Sequence, residues 1–163
     1  MSDQPRRASD PPSRAAEVER VERLFETEYD AMFRLAYTLV GNEAEAEELV
    51  QDGFVEVYRR LDHIDRPGAY LRTAVVNGCR SVLRRRRVLE LLSPEAPASV
   101  GPSAAELWDV LGRLSEHQRV TVVLRYYGGY RAAEIAEIVE MPAATVRSHL
   151  RRGLATLRKE LEP

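Results

Sequence analysis

Residues 134–152 read EIAEIVEMPAATVRSHLRR, from Glu134 to Arg152. The segment Arg131 to Val139 has the apolar spacing of a short helix, Glu140-Met141-Pro142 makes a tight turn, and Ala143 to Leu161 follows as a longer helix. On that longer helix Val146, Leu150, Leu154, Leu157 and Leu161 share one face, while Arg147 and Arg151 occupy the neighbouring face with Ser148 and Arg152 beside them. One face is therefore built for a core and the next for an anion. Two helices joined by about three residues, the second amphipathic and basic, form a helix-turn-helix, whose second helix enters the major groove. Arginine bonds bidentately to guanine O6 and N7, so Arg147, Ser148, His149, Arg151 and Arg152 are candidates to meet base edges. Arg158 and Lys159, further along, suit phosphate.

Working outward, Gly128-Gly129 breaks the chain before this unit. Ser115 is placed to cap a helix running to about Tyr127, and Leu107, Val110, Leu111 and Leu114 mark a shorter helix ahead of it. The stretch SPEAPASVGPS has no periodic apolar pattern and divides the chain. On its N-terminal side three helices are expected. The first, Glu17 to Val40, carries Phe25, Tyr29, Met32, Ala36 and Leu39; the second, Glu43 to Leu61, carries Ala46, Val50, Phe54, Val57 and Leu61. Gly53 within the second implies a close helix contact. Pro67 opens the third, which runs to about Leu89 with Leu71, Val75, Cys79 and Val82 as its buried stripe. The spacing thus predicts an all-α chain with a tail at 1–16, a three-helix unit at 17–90, a linker at 91–104 and a helix-turn-helix unit at 105–163.

The formal charge of -2 conceals a segregation. Residues 18–65 hold 13 acids and 5 arginines, whereas residues 66–90 hold 7 arginines and 1 acid. Residues 117–163 are basic again, which fits one acidic surface unsuited to phosphates and two basic surfaces suited to them. The run Arg84 to Arg87 cannot lie on one helical face and reads as a clamp for a nucleic-acid backbone. Tyr70, Thr73, Asn77 and Arg80 ahead of it offer stacking and hydrogen-bonding groups of the kind that hold unstacked bases. Core packing is an equal alternative for Tyr70. The single cysteine, Cys79, excludes an internal disulfide and reads as a small core residue; no Cys/His pair has metal-ligand spacing, so neither a metal nor a cofactor is expected. No apolar run approaches the roughly 20 residues of a membrane span, so a cytoplasmic protein without membrane insertion is expected.

EAEELVQDGFVEVYRRL and RPGAYLRTAVVNGCRSVLRRRR on one side of the linker, and LSEHQRVTVVLRYYGGYRAAEIAEIVEMPAATVRSHLRRGLATLRKEL on the other, resemble the two domains of the extracytoplasmic-function sigma factors of bacterial RNA polymerase. The resemblance implies that the N-terminal unit is a sigma-2 domain. It would bind the clamp of core polymerase through Glu48, Leu49, Gln51, Asp52 and Phe54, and open the -10 promoter element through Tyr70, Thr73, Asn77, Arg80, Arg84 and Arg85. It implies that the C-terminal unit is a sigma-4 domain, which meets the polymerase flap and reads duplex -35 DNA through Thr145, Arg147, Ser148, His149, Arg151 and Arg152. Members are often held inactive by an anti-sigma factor, a further partner that the resemblance raises.

Two other classes compete. A stand-alone helix-turn-helix regulator accounts for residues 117–163 equally well, but leaves the acidic helix 43–61 and the run Arg84 to Arg87 without a role. An enzyme is a distant third: the carboxylates are scattered on helix surfaces, no Gly-rich phosphate loop precedes a helix, and His63, His117 and His149 have no nucleophile beside them.

Overall fold

Gly41 separates the first two helices. It holds φ 70°, a left-handed conformation that a residue without Cβ adopts at no steric cost, and the Asn42 side chain then accepts the Glu45 N–H at 2.9 Å to start the next helix. The computed structural model describes residues 14–92 and 105–161, so the expected tail up to residue 13 and the linker 93–104 lie outside the described residues. The N-terminal unit comprises α1 (Arg14–Val40), α2 (Glu43–Arg60) and α3 (Pro67–Leu92), with a single 3-10 turn, Leu61–His63, after α2. The C-terminal unit comprises α4 (Ala105–Gly112), α5 (Glu116–Tyr126), α6 (Ala132–Val139) and α7 (Ala143–Leu161). All regular structure among the described residues is helical. Two boundaries shift: α1 begins three residues before Glu17, and α3 extends past Leu89 to Leu92.

The predicted stripes form the N-terminal core. Ala46, Val50, Phe54, Val57 and Leu61 are buried against Leu71, Val75, Cys79 and Val82. Gly53 is where α2 and α3 come closest, since a Cβ there would lie 2.9 Å from Val75 Cγ2 and 3.1 Å from Leu71 Cδ1. The α1 stripe holds through Met32, Ala36 and Leu39, but Phe25 is largely exposed. Burial among apolar neighbours pushes the Cys79 thiol up to about 12, so it packs as an inert small residue.

Local rules set the C-terminal unit too. Ser115 accepts the Gln118 N–H at 3.3 Å while Gln118 Oε1 accepts the Ser115 N–H at 3.1 Å, a reciprocal cap that starts α5. Glu140 ends α6 at φ 54°, the left-handed turn that aims α7 across α5. Ile135, Ile138, Val139 and Val146 are buried together with Val120 and Leu124 of α5, the interior expected of a helix-turn-helix. Of the face predicted for α4, Leu111 and the following Leu114 are buried with Trp108, whereas Leu107 is exposed.

The two units pack against each other. An aromatic ladder runs down α1 through Tyr29, Phe33 and Tyr37, with successive ring centroids 6.3 and 6.2 Å apart, and ends on Trp108 of α4, edge-on to Tyr37 at 5.0 Å. Trp108 fills the corner at Gly41, where any Cβ would lie 2.8 Å from its Cδ1, and its indole N–H donates to the Thr38 carbonyl at 3.3 Å.

Candidate nucleic-acid interface

Helix α7 sorts its side chains by spacing. Val146 is buried at the centre of the unit and Leu150 packs against the same core, which turns Arg147, Arg151 and Arg152 outward into solvent. Arg152 donates to Ser148 Oγ at 2.9 Å, so the half-buried serine braces a guanidinium. Thr145 is half-buried in the first turn of α7. The exposed arginines form a ladder on one face of a helix whose opposite face is fixed by the core, the geometry needed to enter a groove as a rigid element.

His149 must be removed from that ladder. Its ring stacks on His117 of α5 with centroids 5.1 Å apart, and its buried Nδ1 has no hydrogen-bond partner. Its position, three residues after Val146 and one before Leu150, places it on the inner edge of the helix instead of beside Arg147 and Arg151. Burial, then the neighbouring His117 and Arg152, lower its pKa from 6.5. The folded chain therefore holds His149 neutral, and the unfolded chain takes up the proton first as pH falls. Stability is expected to be full above pH 6.5 and to decline below it, because burial, then His117 and Arg152, oppose the added charge in the folded chain. Thermal unfolding of wild type and His149→Gln between pH 7.5 and 5.5 checks this, the variant showing the flatter profile.

The second basic surface is covered. Arg80 of α3 donates from Nε to Glu116 Oε1 at 2.7 Å, from Nη1 to the Val139 carbonyl and Asn77 Oδ1, each at 3.4 Å, and lies 3.3 Å from His117 Nε2. Both members of the Arg80–Glu116 pair are only about 15% exposed or less. Arg72 places its guanidinium 4.8 Å from the Tyr130 ring centroid. Tyr70 is half-buried and donates its hydroxyl to Glu56 at 3.3 Å; with Thr73 it lines an open cavity of about 500 Å³ that Glu137 and Glu140 also border. Tyr70, Thr73, Asn77 and Arg80 thus share one face of α3, and α5 and α6 lie over it. Of the arginine run, Arg84 and Arg85 are exposed, whereas Arg86 turns inward to Glu45 and the Val40 carbonyl and ties α3 to the start of α2.

On α2, Glu48, Gln51 and Asp52 are exposed. Phe54 is not available: it is 7% exposed and its ring sits 5.1 Å from Phe25 and 6.4 Å from Tyr29. Leu49 likewise leans into the core, its Cδ2 occupying the space beside Gly78. In their place the outward face carries Val55 and Tyr58, 45% and 40% exposed, which continue the strip from Gln51 at helical spacing. Two apolar residues on the outer face of an amphipathic helix were the available signal. Together with Glu48 and Asp52 they make an acidic strip with an apolar centre, the composition of a protein-binding surface.

Residues 24–88 match the family described as Sigma-70 region 2, and residues 104–157 match Sigma-70, region 4. An RNA polymerase sigma-E factor of Streptomyces avermitilis is 37% identical over 156 residues, spanning 90% of this chain and 87% of the relative. The chain belongs to the extracytoplasmic-function sigma factors. The ECF RNA polymerase sigma factor SigW of Bacillus subtilis is 27% identical over 81% of this sigma factor and 83% of its own length. Among solved structures, the sigma factor RpoE in complex with the anti-sigma factor NepR from Bartonella quintana superposes with a TM-score of 0.70 over 89% of this chain and 99% of that one; at 21% identity the likeness is one of fold. Sigma factors of this family are non-enzymatic transcription initiation factors.

Proposed function

We propose that this sigma factor binds core RNA polymerase through the outer strip of α2, reads duplex -35 DNA with α7, and engages the -10 element with α3 after α5 and α6 have moved off it. The observation that carries this is the separation of surfaces. Glu48, Gln51, Asp52, Val55 and Tyr58 face solvent on α2, and Arg147, Arg151 and Arg152 face solvent on α7, so a protein partner and a polyanion meet different elements. Tyr70, Thr73, Asn77 and Arg80 suit a single strand, but Arg80 is held by Glu116 and the Val139 carbonyl while Glu137 and Glu140 border the cavity at Tyr70 and Thr73, so the closed arrangement disfavours a -10 strand. A sigma factor of the same fold was captured with an anti-sigma factor, which supports a protein regulator as a third partner of this chain. A role with polymerase places the protein in the cytoplasm.

Co-elution with purified core polymerase tests the assignment of α2. The double charge reversal Glu48→Lys and Asp52→Lys is expected to weaken core binding by about tenfold or more while leaving the affinity for a -35 duplex unchanged. Equal loss of both would place the polymerase surface elsewhere.

A further inference from the structure

Where the end of α3 meets α4 and α5, the two units enclose a cavity of about 640 Å³, a size that accommodates a small organic ligand. Five arginines line it: Arg84, Arg86 and Arg87 from α3, Arg113 from the turn after α4, and Arg119 from α5. Three of the five are already matched. Arg86 pairs with Glu45, Arg87 with Glu90 at 3.6 Å, and Arg113 with Glu160 at 3.0 Å. Glu116, also on the wall, is taken by Arg80. That leaves Arg84 and Arg119 without an acidic partner among the described residues, against the single carboxylate of Asp109.

Arg119 is the unusual one. It is only 8% exposed, and its buried Nε has no hydrogen-bond partner. Burial, then the neighbouring Arg86, lowers its pKa to about 10, so the guanidinium remains charged at neutral pH. A buried cation without an ion-pair partner is costly, and the nearby Glu90 offsets only part of what burial and Arg86 take from it. Guanidinium groups bind phosphate oxygens bidentately, and a cavity with two unmatched guanidiniums and three more on its wall is built for more than one phosphoryl group.

From this geometry we infer that the cavity is a binding site for a small oligophosphate, an anion carrying at least two phosphoryl groups, held chiefly by Arg84 and Arg119. Such a ligand bridges α3 and α5 across the seam between the two units. It therefore favours the closed arrangement and opposes exposure of the α3 face that carries Tyr70 and Arg80. That last consequence rests on the proposed sigma function; ligand binding itself does not, so the two fail separately.

The test is calorimetric titration of the full chain with inorganic pyrophosphate, and separately with ATP and orthophosphate, at constant ionic strength, in parallel with thermal unfolding. Saturable binding of pyrophosphate or ATP at one site per chain is expected, with about tenfold or greater loss of affinity in Arg84→Gln and in Arg119→Gln and none in Arg20→Gln on the exposed face of α1. Saturation by pyrophosphate assigns the site to the diphosphate group itself, whereas saturation by ATP alone assigns it to a nucleotide. Because Arg84 is exposed, its replacement leaves the fold intact even if Arg119→Gln disturbs it. Without ligand, Arg119→Gln is expected to unfold no earlier than wild type, since it removes an unpaired buried charge. Absence of saturable binding by both pyrophosphate and ATP, or equal affinity in wild type and Arg84→Gln, overturns the inference.

Discussion

Replacing Arg147 and Arg151 together by alanine is expected to lower the affinity of this sigma factor for a -35 duplex by about a hundredfold or more, and to leave core polymerase binding intact. Both side chains are solvent-exposed, one helical turn apart on a helix whose other face is buried through Val146. Truncating them removes no packing, so the variant keeps its thermal stability. Each bidentate arginine contact to a base edge contributes about 1–3 kcal/mol of discrimination, so losing both is expected to cost about a hundredfold or more. Measurement across several salt concentrations separates base reading from phosphate attraction. If the arginines read bases, specificity collapses with little change in the salt slope; if they only meet phosphate, binding weakens uniformly and the slope falls by about 2. His149→Ala is expected to have a far smaller effect on DNA affinity, since its ring lies against His117.

The second large effect concerns the seam. Trp108 is 6% exposed, packs edge-on against Tyr37, and fills space that only a glycine at position 41 leaves open. Trp108→Ala removes this contact together with the hydrogen bond to the Thr38 carbonyl, and truncating a buried aromatic of this size costs about 3–5 kcal/mol. Much of that loss falls on the docking of one unit on the other, because the residues around the indole belong to α1. The variant is expected to show a larger radius of gyration by small-angle scattering and separate unfolding transitions for its two halves. It is also expected to bind a single-stranded -10 oligonucleotide more tightly than wild type, because the closed arrangement no longer competes for the α3 face. An unchanged radius with unchanged strand binding would show that the seam does not control access to α3.

Local chemistry made much of this architecture legible. The stripes Ala46-Val50-Phe54-Val57-Leu61 and Leu71-Val75-Cys79-Val82, the Ser115 cap, the glycine breaks and the turn at Glu140 each depend on neighbours within a few residues, and each appears where the spacing placed it. Periodicity also separated the core face of α7 from its arginine ladder. It placed Phe54 in the buried stripe of α2, and the resemblance alone set it among the polymerase contacts; at the border of a stripe, burial is decided by what the next helix brings, here Phe25 and Tyr29. The same border effect hid Val55 and Tyr58, buried Trp108 of α4 in place of Leu107, and turned His149 inward. The pairings across the seam were not legible. Arg80 with Glu116 and Trp108 with Gly41 join residues far apart in sequence, and no pattern along one helix announces its partner in another.

The most direct measurement is run-off transcription from a genomic-fragment library, with purified core RNA polymerase in the presence and absence of this chain. Transcripts that appear only when the chain is added, and that disappear with the Arg147→Ala and Arg151→Ala double variant, are the predicted result. A chain that binds duplex fragments yet starts no transcript and does not associate with core polymerase would contradict the account.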